Sequence, residues 1–530
     1  MKAHIVGGGF GGLAAAGYLI LNAKVPGQDI TIYEADERMG GGFFLGGSAQ
    51  SGYNLPGSVF DSEFRCAFAL LDAVPCAWNP PVSVKKEFFT FNEGHLFDSR
   101  GHLIDGEGRI VHGPRFGLSW RDGFDLARLA LTPERKLEGR RIREFFSPRF
   151  FSTEFWLCYS TIMGSLPQHG ATELRRYLNR TLHMLPYISD MANIWRTPIN
   201  QYQSFIEPLV AWLRARGVNL QTGVFVQDVG FAASPGRITV NRLDYERDGA
   251  QTSVTVARDD LVLLTFGSQA ADMSVGSMSQ APPRQRAGRS WALWRRLAKG
   301  RPEFGNPDAF FGEAHVRDSR WVSFTVTTTG TEFLEQMTAL TGSETGRGGL
   351  VSLIDSPWLL SLSIFHQPEI ICQPPGTYVL WGYGLYPGNT GSYVKKGMDE
   401  CTGAEILEEL LRQLRFDQKR LELIMGSSIC IPCDMPYVNN IWLTRTPTDR
   451  SRPVPEGSTN LGLIGQYVEV SRDVAFTIEY SARTAWEAIH LLLKRGPPPP
   501  PVYQAQYDPK ALVAALKLFV FPATTRPRVT

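Results

Sequence analysis

A glycine-rich segment near the first residue has the spacing of a phosphate-binding turn. Gly7, Gly9 and Gly12 match the pattern GxGxxG and join a short apolar run to an alanine-rich segment. In this pattern the first glycine permits a tight turn, the second lets a pyrophosphate approach the backbone, and the third lets helix and strand pack closely. Glu34 follows at about the 20 positions expected of an acid that binds a ribose hydroxyl. The spacing predicts a dinucleotide site, and Glu34 disfavours NADP because it would repel the 2′-phosphate.

The elements that must position this turn are predicted in order along the same region. Residues 2–6 form a predicted strand, residues 13–21 a predicted helix, and residues 29–33 a second strand with Glu34 at its end. The N-terminus of the helix would direct its N–H groups at the phosphates. Because strand, glycines, helix, strand and acid occur in this order, the motif is more specific than a glycine turn alone.

Two further features resemble flavoproteins of the glutathione-reductase type. A second glycine cluster with Gly41 and Gly42 follows Glu34, and residues 460–466 predict a strand ending at Gly465, followed by a helix. The resemblance implies FAD rather than NAD. We therefore assign the cofactor site to Gly7, Gly9, Gly12, Glu34, Gly41, Gly42, Val226, Gly267, Gly465 and Phe476.

Composition excludes several other classes of protein. The balance of 54 Lys and Arg against 52 Asp and Glu leaves a net charge of +2, so no overall field attracts nucleic acid. Among 7 cysteines only Cys430 and Cys433 have CxxC spacing, and no second pair completes a zinc site, so no metal is predicted. No apolar run reaches the roughly 18 residues of a membrane span, and no segment resembles a signal peptide. We expect a cytoplasmic protein.

The length of 530 residues requires two to four packed units. We predict an α/β fold: a discontinuous, Rossmann-like FAD-binding domain of the glutathione-reductase type, a mixed α+β substrate domain and a helical C-terminal tail. The predicted segments are 1–75, 200–285 and 450–495 for the FAD domain, 76–199 and 286–449 for the substrate region, and 496–530 for a proline linker and helix. The helix at 509–521 has an apolar face that either makes a peripheral membrane contact or docks on its own protein.

Eight longer motifs run from the first strand to the last long helix. They occupy residues 4–12, 145–147, 173–177, 196–202, 381–385, 400–403, 455–461 and 476–481. With these motifs the whole chain resembles the oleate hydratases, also called myosin-cross-reactive antigens. Members of that family are FAD-binding enzymes that add water across the cis double bond of unsaturated fatty acids. The resemblance implies an unsaturated fatty acid or related lipid as substrate, and either a monomer or a homodimer.

The resemblance also implies roles for individual residues. Tyr177 matches the tyrosine that donates the proton, and Gln201 matches a glutamine that helps shape the site. Without the resemblance Tyr177 would be interpreted as a buried phenol with one hydrogen bond. Asn200 and Gln201 are equally compatible with capping backbone groups in a loop. In this family the flavin does no net redox chemistry; it organises a loop and supplies electrostatics.

The chain departs from the family pattern where a glutamate would activate water. Val59 takes the place of that glutamate, and a valine neither accepts a proton nor orients water. Asp61 and Glu63 lie close in sequence, but two positions along a loop or helix usually mean another face. We therefore expect both carboxylates to face solvent.

A second departure concerns the fatty-acid carboxylate. The family pattern places a histidine where this chain has Glu369 and a polar residue where it has Phe365, which leaves Ser363 and His366 as donors. A substrate carboxylate about 4 Å from an ionised Glu369 would be repelled by up to about 4 kcal/mol at an effective dielectric of about 20. Either Glu369 is protonated or turned away, or the substrate head group is not a free carboxylate.

Three functions remain open from the sequence. The first is an FAD-dependent hydratase of an unsaturated fatty acid that uses Tyr177 as general acid. The second is a double-bond isomerase acting on a fatty acid, a neutral lipid or an isoprenoid, which the absence of a water-activating glutamate at Val59 favours. The third is a flavin-binding lipid carrier without turnover, against which the intact Tyr177 motif argues.

Overall fold

The computed structural model describes residues 1–57, 59–112, 114–284 and 288–520. Its strands are β1 (Ala3–Val6), β2 (Ile30–Tyr33), β3 (Gly46–Ser48), β4 (Gly52–Asn54), β5 (Leu103–Ile104), β6 (Asn219–Gln221), β7 (Val224–Phe231), β8 (Val240–Arg247), β9 (Ala250–Thr255), β10 (Leu261–Thr265), β11 (Ser274–Val275), β12 (Trp321–Thr329), β13 (Leu350–Leu353), β14 (Leu360–Ile364), β15 (Thr377–Gly384), β16 (Ser428–Met435) and β17 (Leu461–Ile464). Its helices are α1 (Phe10–Leu21), α2 (Arg65–Leu71), α3 (Val84–Gly94), α4 (Trp120–Leu131), α5 (Glu154–Met163), α6 (Ala171–Arg180), α7 (Glu207–Ala215), α8 (Arg289–Ala298), α9 (Glu313–Ser319), α10 (Glu332–Thr341), α11 (Gly403–Gln413), α12 (Gln418–Ser427), α13 (Ile478–Leu493) and α14 (Pro509–Val520).

The glycine turn follows the central strand of a parallel sheet of five strands, in the order β17-β10-β1-β2-β6. Ile5 at its centre pairs with Leu263 on one side and Ile32 on the other. The strands β1, β10 and β17 are apolar and largely buried, as expected of a parallel sheet covered on both faces, and α1 packs against α13 over the sheet. The predicted α/β, Rossmann-like fold is confirmed. The sheet draws its strands from three separate parts of the chain.

A mixed sheet of seven strands forms the second layer, in the order β11-β16-β12-β15-β14-β13-β5. Within this sheet β12 pairs antiparallel with both β15 and β16. This strand is buried over almost its whole length. Three aromatic side chains from β12 and β15 build one wall of a cavity between the two sheets: Tyr383 stacks on Trp321 and packs at a tilt against Trp381.

Some predicted helices have different ends in the structure. The last long helix begins at Ile478, because the Thr477 hydroxyl caps it by accepting a hydrogen bond from the Tyr480 N–H. The terminal helix is described to Val520, and Phe521, the last residue of the predicted helix, lies outside the described residues. The proline linker lies across α13, where Trp486 donates a hydrogen bond to the Pro497 carbonyl. No helix in the described ranges is both long and apolar enough to cross a bilayer.

Candidate functional site

The glycine turn has a geometry that only glycine permits at two positions. Gly7 adopts a φ of 103°, and a Cβ atom there would collide with the Thr265 hydroxyl. A Cβ atom at Gly12 would collide with the carbonyl oxygen of Gly7. The first helical turn therefore packs directly on the end of β1. Gly12 is the residue at which helix and strand pack on each other, whereas Gly7 and Gly9 line the cavity.

Glu34 closes the other side of the turn at the end of β2. Its buried carboxylate accepts hydrogen bonds from the N–H groups of Gly8 at 2.5 Å and Asp36 at 2.9 Å. Burial raises the pKa of Glu34, and the two backbone hydrogen bonds oppose this shift. The acid is thus fixed beside the glycines, with part of its surface in the cavity wall.

The remaining residues assigned to the cofactor also line this cavity. They come from four separate segments: Gly41, Gly42, Val226, Gly267, Gly465 and Phe476. A Cβ atom at Gly41 would approach the Gly9 Cα to 3.1 Å, so the two glycine clusters face each other closely. A Cβ atom at Gly465 would meet nothing within 4 Å, so the space beside it is open. The cavity has a volume of about 490 Å³, which is within the range of small-molecule sites.

Tyr177 lies in the wall of the same cavity. It is buried, its ring stacks on Trp442 at 4.3 Å, and its hydroxyl oxygen accepts a hydrogen bond of 2.9 Å from the Phe476 N–H. Burial and, secondarily, the charge of Glu173 raise the pKa of Tyr177 well above its usual range. The phenol therefore keeps its proton at neutral pH. Because its oxygen is already an acceptor, the proton is available for a second partner.

Helix α6 presents a polar face to the interior beneath Tyr177. Glu173, Arg176, Tyr177 and Arg180 recur at helical spacing, and all four are buried. Glu173 binds two arginines from outside the helix, Arg445 at 2.8 Å and Arg450 at 3.4 Å. Burial opposes the ionisation of Glu173, but these arginines outweigh it and lower its pKa to about 2. The helix that carries Tyr177 is thus fixed by a buried ion network rather than by apolar packing alone.

The loop in which Val59 stands at the place of the family's glutamate also reaches the cavity. Val59 lines the cavity and is partly exposed. The prediction that Asp61 faces solvent is wrong: Asp61 is buried, binds Arg180 at 3.0 Å and lies 3.1 Å from His183 Nε2. Burial favours the neutral acid, but the hydrogen bond with His183 and the charge of Arg180 lower the pKa of Asp61 to about 2. The side chain is therefore an ionised carboxylate in the cavity wall.

The region of the second departure forms another part of the cavity wall. Ser363 on β14 lines the cavity together with Arg196, Phe97 and Phe365. The Arg196 guanidinium stacks 3.8 Å from the Phe97 ring centre and donates to the His95 carbonyl at 3.0 Å. Its Nε and Nη1 are buried and find no partner among the residues described. Sequence reasoning missed Arg196 although it begins a quoted motif, because one arginine beside a tryptophan carries no spacing signal.

Other predicted site residues lie behind the cavity wall rather than in it. Asn200 donates to the Glu369 carbonyl at 3.0 Å, which links two loops. Gln201 is buried just before a π-helical turn, and His366 packs against His95 and Phe91. Glu369 is buried too, and burial raises the pKa of its carboxyl well above the usual range, with Arg196 opposing the shift. None of these four, Asn200, Gln201, His366 or Glu369, is among the cavity-lining residues in the described part of the chain.

The fold and the site define a class: an α/β protein with a Rossmann-type dinucleotide turn that opens into a large, mainly apolar cavity. Cyclohexylamine oxidase from Brevibacterium oxydans IH-35A has the same overall fold, with a TM-score of 0.51 over 93% of this chain and 98% of that chain, at 13% identity.

Sequence comparison identifies the family within this class. The MCRA family matches residues 1–490. Oleate hydratase of Streptococcus pyogenes serotype M49 (strain NZ131) is 30% identical over 97% of this chain and 89% of that protein. Linoleate hydratase of Lactiplantibacillus plantarum is 30% identical over 97% of this chain and 98% of that protein. The chain belongs to the MCRA family, and the resemblance inferred from its motifs is confirmed.

Proposed function

We propose that this protein is an FAD-binding hydratase that adds water to the carbon–carbon double bond of an unsaturated fatty acid. The observation that carries the proposal is the placement of the Tyr177 hydroxyl. It lies in the wall of a mainly apolar cavity that the glycine turn also lines, and its oxygen accepts a hydrogen bond from the Phe476 N–H. Two relatives whose sequences match nearly the whole chain are an oleate hydratase and a linoleate hydratase.

The residues at the glycine end fit FAD. Helices α1 and α13 both begin at the cavity, and helix N-termini favour phosphate groups. Gly9 and Gly41 leave space where larger side chains would fill the cradle, and Glu34 stands where a ribose hydroxyl would bind. When bound, the flavin would supply electrostatics and order the neighbouring loop without net redox change. Its redox state during turnover is therefore not part of the reaction balance.

Proton delivery is the role we assign to Tyr177. The buried phenol donates its proton to one alkene carbon, the oxygen of a water molecule bonds to the other, and a proton from that water returns to the phenolate. The Phe476 N–H, which donates to the same oxygen, stabilises the phenolate that forms. Trp321 in the cavity wall and Trp442, which stacks on Tyr177 behind that wall, keep bulk water from the alkene.

Water positioning is the weaker half of the site. Val59 occupies the place of a general base, and Asp61 with a pKa of about 2 is a poor base at neutral pH. Its ionised carboxylate nevertheless accepts a hydrogen bond from water. We assign to Asp61 the orientation of water rather than its deprotonation. A missing general base lowers a rate by roughly 10²–10⁴-fold, so we expect a slow enzyme.

The substrate head group is assigned to Arg196. Its buried guanidinium has two N–H groups without partners in the described structure, and Ser363 offers a hydroxyl in the same region of the wall. Glu369 does not line the cavity, and burial shifts its carboxyl towards the neutral form. Both features reduce the like-charge repulsion considered from the sequence, so a free carboxylate is compatible with the site.

Double-bond isomerisation is the second candidate, and Val59 favours it. Incubation of the protein with reduced FAD and oleate or linoleate in ¹⁸O-labelled water separates the alternatives by mass spectrometry of the products. Hydration predicts a hydroxy fatty acid that contains ¹⁸O. An unlabelled positional isomer would support isomerisation instead. No product with either acid, despite bound FAD, would contradict both enzymatic functions and favour a lipid carrier.

A further inference from the structure

Helix α4 carries three strongly exposed apolar side chains. Trp120 is 85% exposed, Phe124 64% and Leu131 81%. At 100° per residue these positions fall within about 40° of one another around the helix, so they form a single outward stripe. The opposite face of α4 packs against the rest of the protein, where Leu126 and Leu129 are buried. We call Trp120, Phe124 and Leu131 the α4 stripe.

The acidic and basic residues of α4 lie on different sides of the helix. The acidic residues point inward, where Asp122 caps the helix and binds Arg149 at 2.8 Å, while Asp125 binds Arg128 at 2.9 Å. Arg121 and Arg128 are exposed on one flank of the stripe. The loop that follows adds further exposed basic side chains. Over α4 and this loop, four exposed basic side chains have no ion-pair partner in the described chain: Arg121, Arg135, Lys136 and Arg143. The exposed acid without such a partner in the same segment is Glu138.

The size of the stripe argues against a stable protein contact. Trp120 and Phe124 can each bury about 150–250 Å² and Leu131 somewhat less, so the stripe offers roughly 450 Å². Two copies facing each other would bury roughly 900 Å², which is below the approximately 1,200 Å² at which stable interfaces begin. A narrow row of Trp, Phe and Leu flanked by arginine is instead typical of a helix that lies in a membrane interface. Tryptophan and arginine both place an apolar stem in the acyl region and a polar tip among head groups.

We infer that the α4 stripe docks this protein on the surface of a lipid bilayer that contains anionic head groups. The apolar stripe enters the boundary between head groups and acyl chains, and the neighbouring basic side chains face the lipid phosphates. This inference does not depend on the reaction in the cavity. It concerns α4, which is separate in the sequence from the C-terminal helix considered above.

Vesicle flotation of the full-length protein loaded with FAD tests the inference. The wild type should float with vesicles of phosphatidylcholine mixed with phosphatidylglycerol, and more weakly with phosphatidylcholine alone. The triple variant Trp120→Ser, Phe124→Ser, Leu131→Ser should lose more than about tenfold in vesicle affinity. Arg121→Gln with Arg135→Gln and Lys136→Gln, at exposed side chains without an ion-pair partner in the described chain, should remove most of the preference for anionic vesicles. FAD absorbance and melting temperature, which these exposed positions should leave unchanged, establish that each variant is folded.

The matched control is a triple variant on α14, at Leu512, Val513 and Leu516, which are also exposed. If this variant stops flotation and the α4 variant floats normally, the inference is wrong. A wild type that binds neither vesicle also overturns it. So does light scattering that shows a dimer converted to monomer by the α4 variant, because the stripe would then be a subunit contact.

A second measurement follows insertion directly. Cys372 is the exposed cysteine of the chain, and the other six are buried. In a Cys372→Ser background, Phe124→Cys labelled with an environment-sensitive dye should shift to shorter wavelength when anionic vesicles are added. The same dye on Leu423→Cys, exposed on α12, should not shift. A shift at position 423 but not at 124 would place the membrane contact elsewhere.

Discussion

The two sides of the cavity differ in how firmly their polar groups are held. On the acid side, Tyr177 is fixed by the Phe476 N–H, by stacking on Trp442 and by the ion network of Glu173 beneath its helix. On the water side, Val59 is partly exposed and has no polar group. Asp61 is the ionised residue there, and its charge is already shared with Arg180 and His183. The comparison suggests a site built to deliver a proton, in which water is oriented but not strongly activated.

Removal of the acid should have the largest effect. Tyr177→Phe should lower turnover by roughly 10²–10⁴-fold, because the phenol proton is lost while the ring packing is kept. Tyr159→Phe is the matched control: Tyr159 is also buried, its hydroxyl has no partner among the described residues, and it does not line the cavity. Steady-state product formation measures both. Equal turnover in the two variants would refute the role of Tyr177.

Loss of the ion network around Glu173 should lower the free energy of unfolding, because this network holds the helix that carries Tyr177. Glu173→Gln removes the carboxylate paired with the buried Arg450 and the nearer of the two paired with Arg445, which keeps Glu469 at 3.3 Å. This should cost about 3–5 kcal/mol of unfolding free energy in denaturant titration. The exposed pair of Glu144 and Arg140 gives the control, since Glu144→Gln should cost less than about 1 kcal/mol. A small loss at position 173 would show that packing alone holds α6.

The same network predicts a dependence on acid pH. The folded pKa of Glu173 is about 2, below its unfolded value of about 4.3. Its contribution to stability is therefore complete above about pH 4.3 and is lost as pH falls toward 2. Glu173→Gln should flatten this part of the stability curve. An unchanged slope between these pH values would mean that the carboxylate is not paired in solution.

The head-group assignment predicts an intermediate effect. Arg196→Gln should raise KM for oleate by about ten- to a hundredfold, the loss of one to two charge-assisted hydrogen bonds, with a smaller change in kcat. Binding of oleyl alcohol should change little. Arg196→Lys should recover part of the affinity, and Arg347→Gln, an exposed arginine outside the cavity wall, should leave KM near wild type. Equal weakening of acid and alcohol would indicate a structural role for Arg196.

The smallest change should come from adding a base to the water side. Val59→Glu should accelerate hydration by about tenfold, because a carboxylate at this position can accept a proton from water. Val59→Gln adds a side chain of similar length without a base and should not accelerate it. If both variants are equally fast, or equally slow, water activation does not limit the reaction.

The sequence predicted the glycine turn and its sheet because their chemistry is local: the residues from Gly7 to Glu34 are close in the chain as well as in space. The placement of Tyr177 in the cavity wall was predictable from its motif. Asp61 was not, because its burial depends on Arg180 and His183, which lie more than a hundred positions away. Arg196 escaped prediction for a similar reason, since its contacts come from the end of α3 and from Phe97.

A crystal structure of Tyr177→Phe with FAD and oleate would test the central claim most directly, because this variant should hold substrate without converting it. We predict one alkene carbon within about 3.5 Å of the position that the Tyr177 hydroxyl occupies. The oleate carboxylate should lie at Arg196, and the flavin at the glycine turn. A fatty acid bound in the opposite direction, or an alkene remote from position 177, would contradict the account.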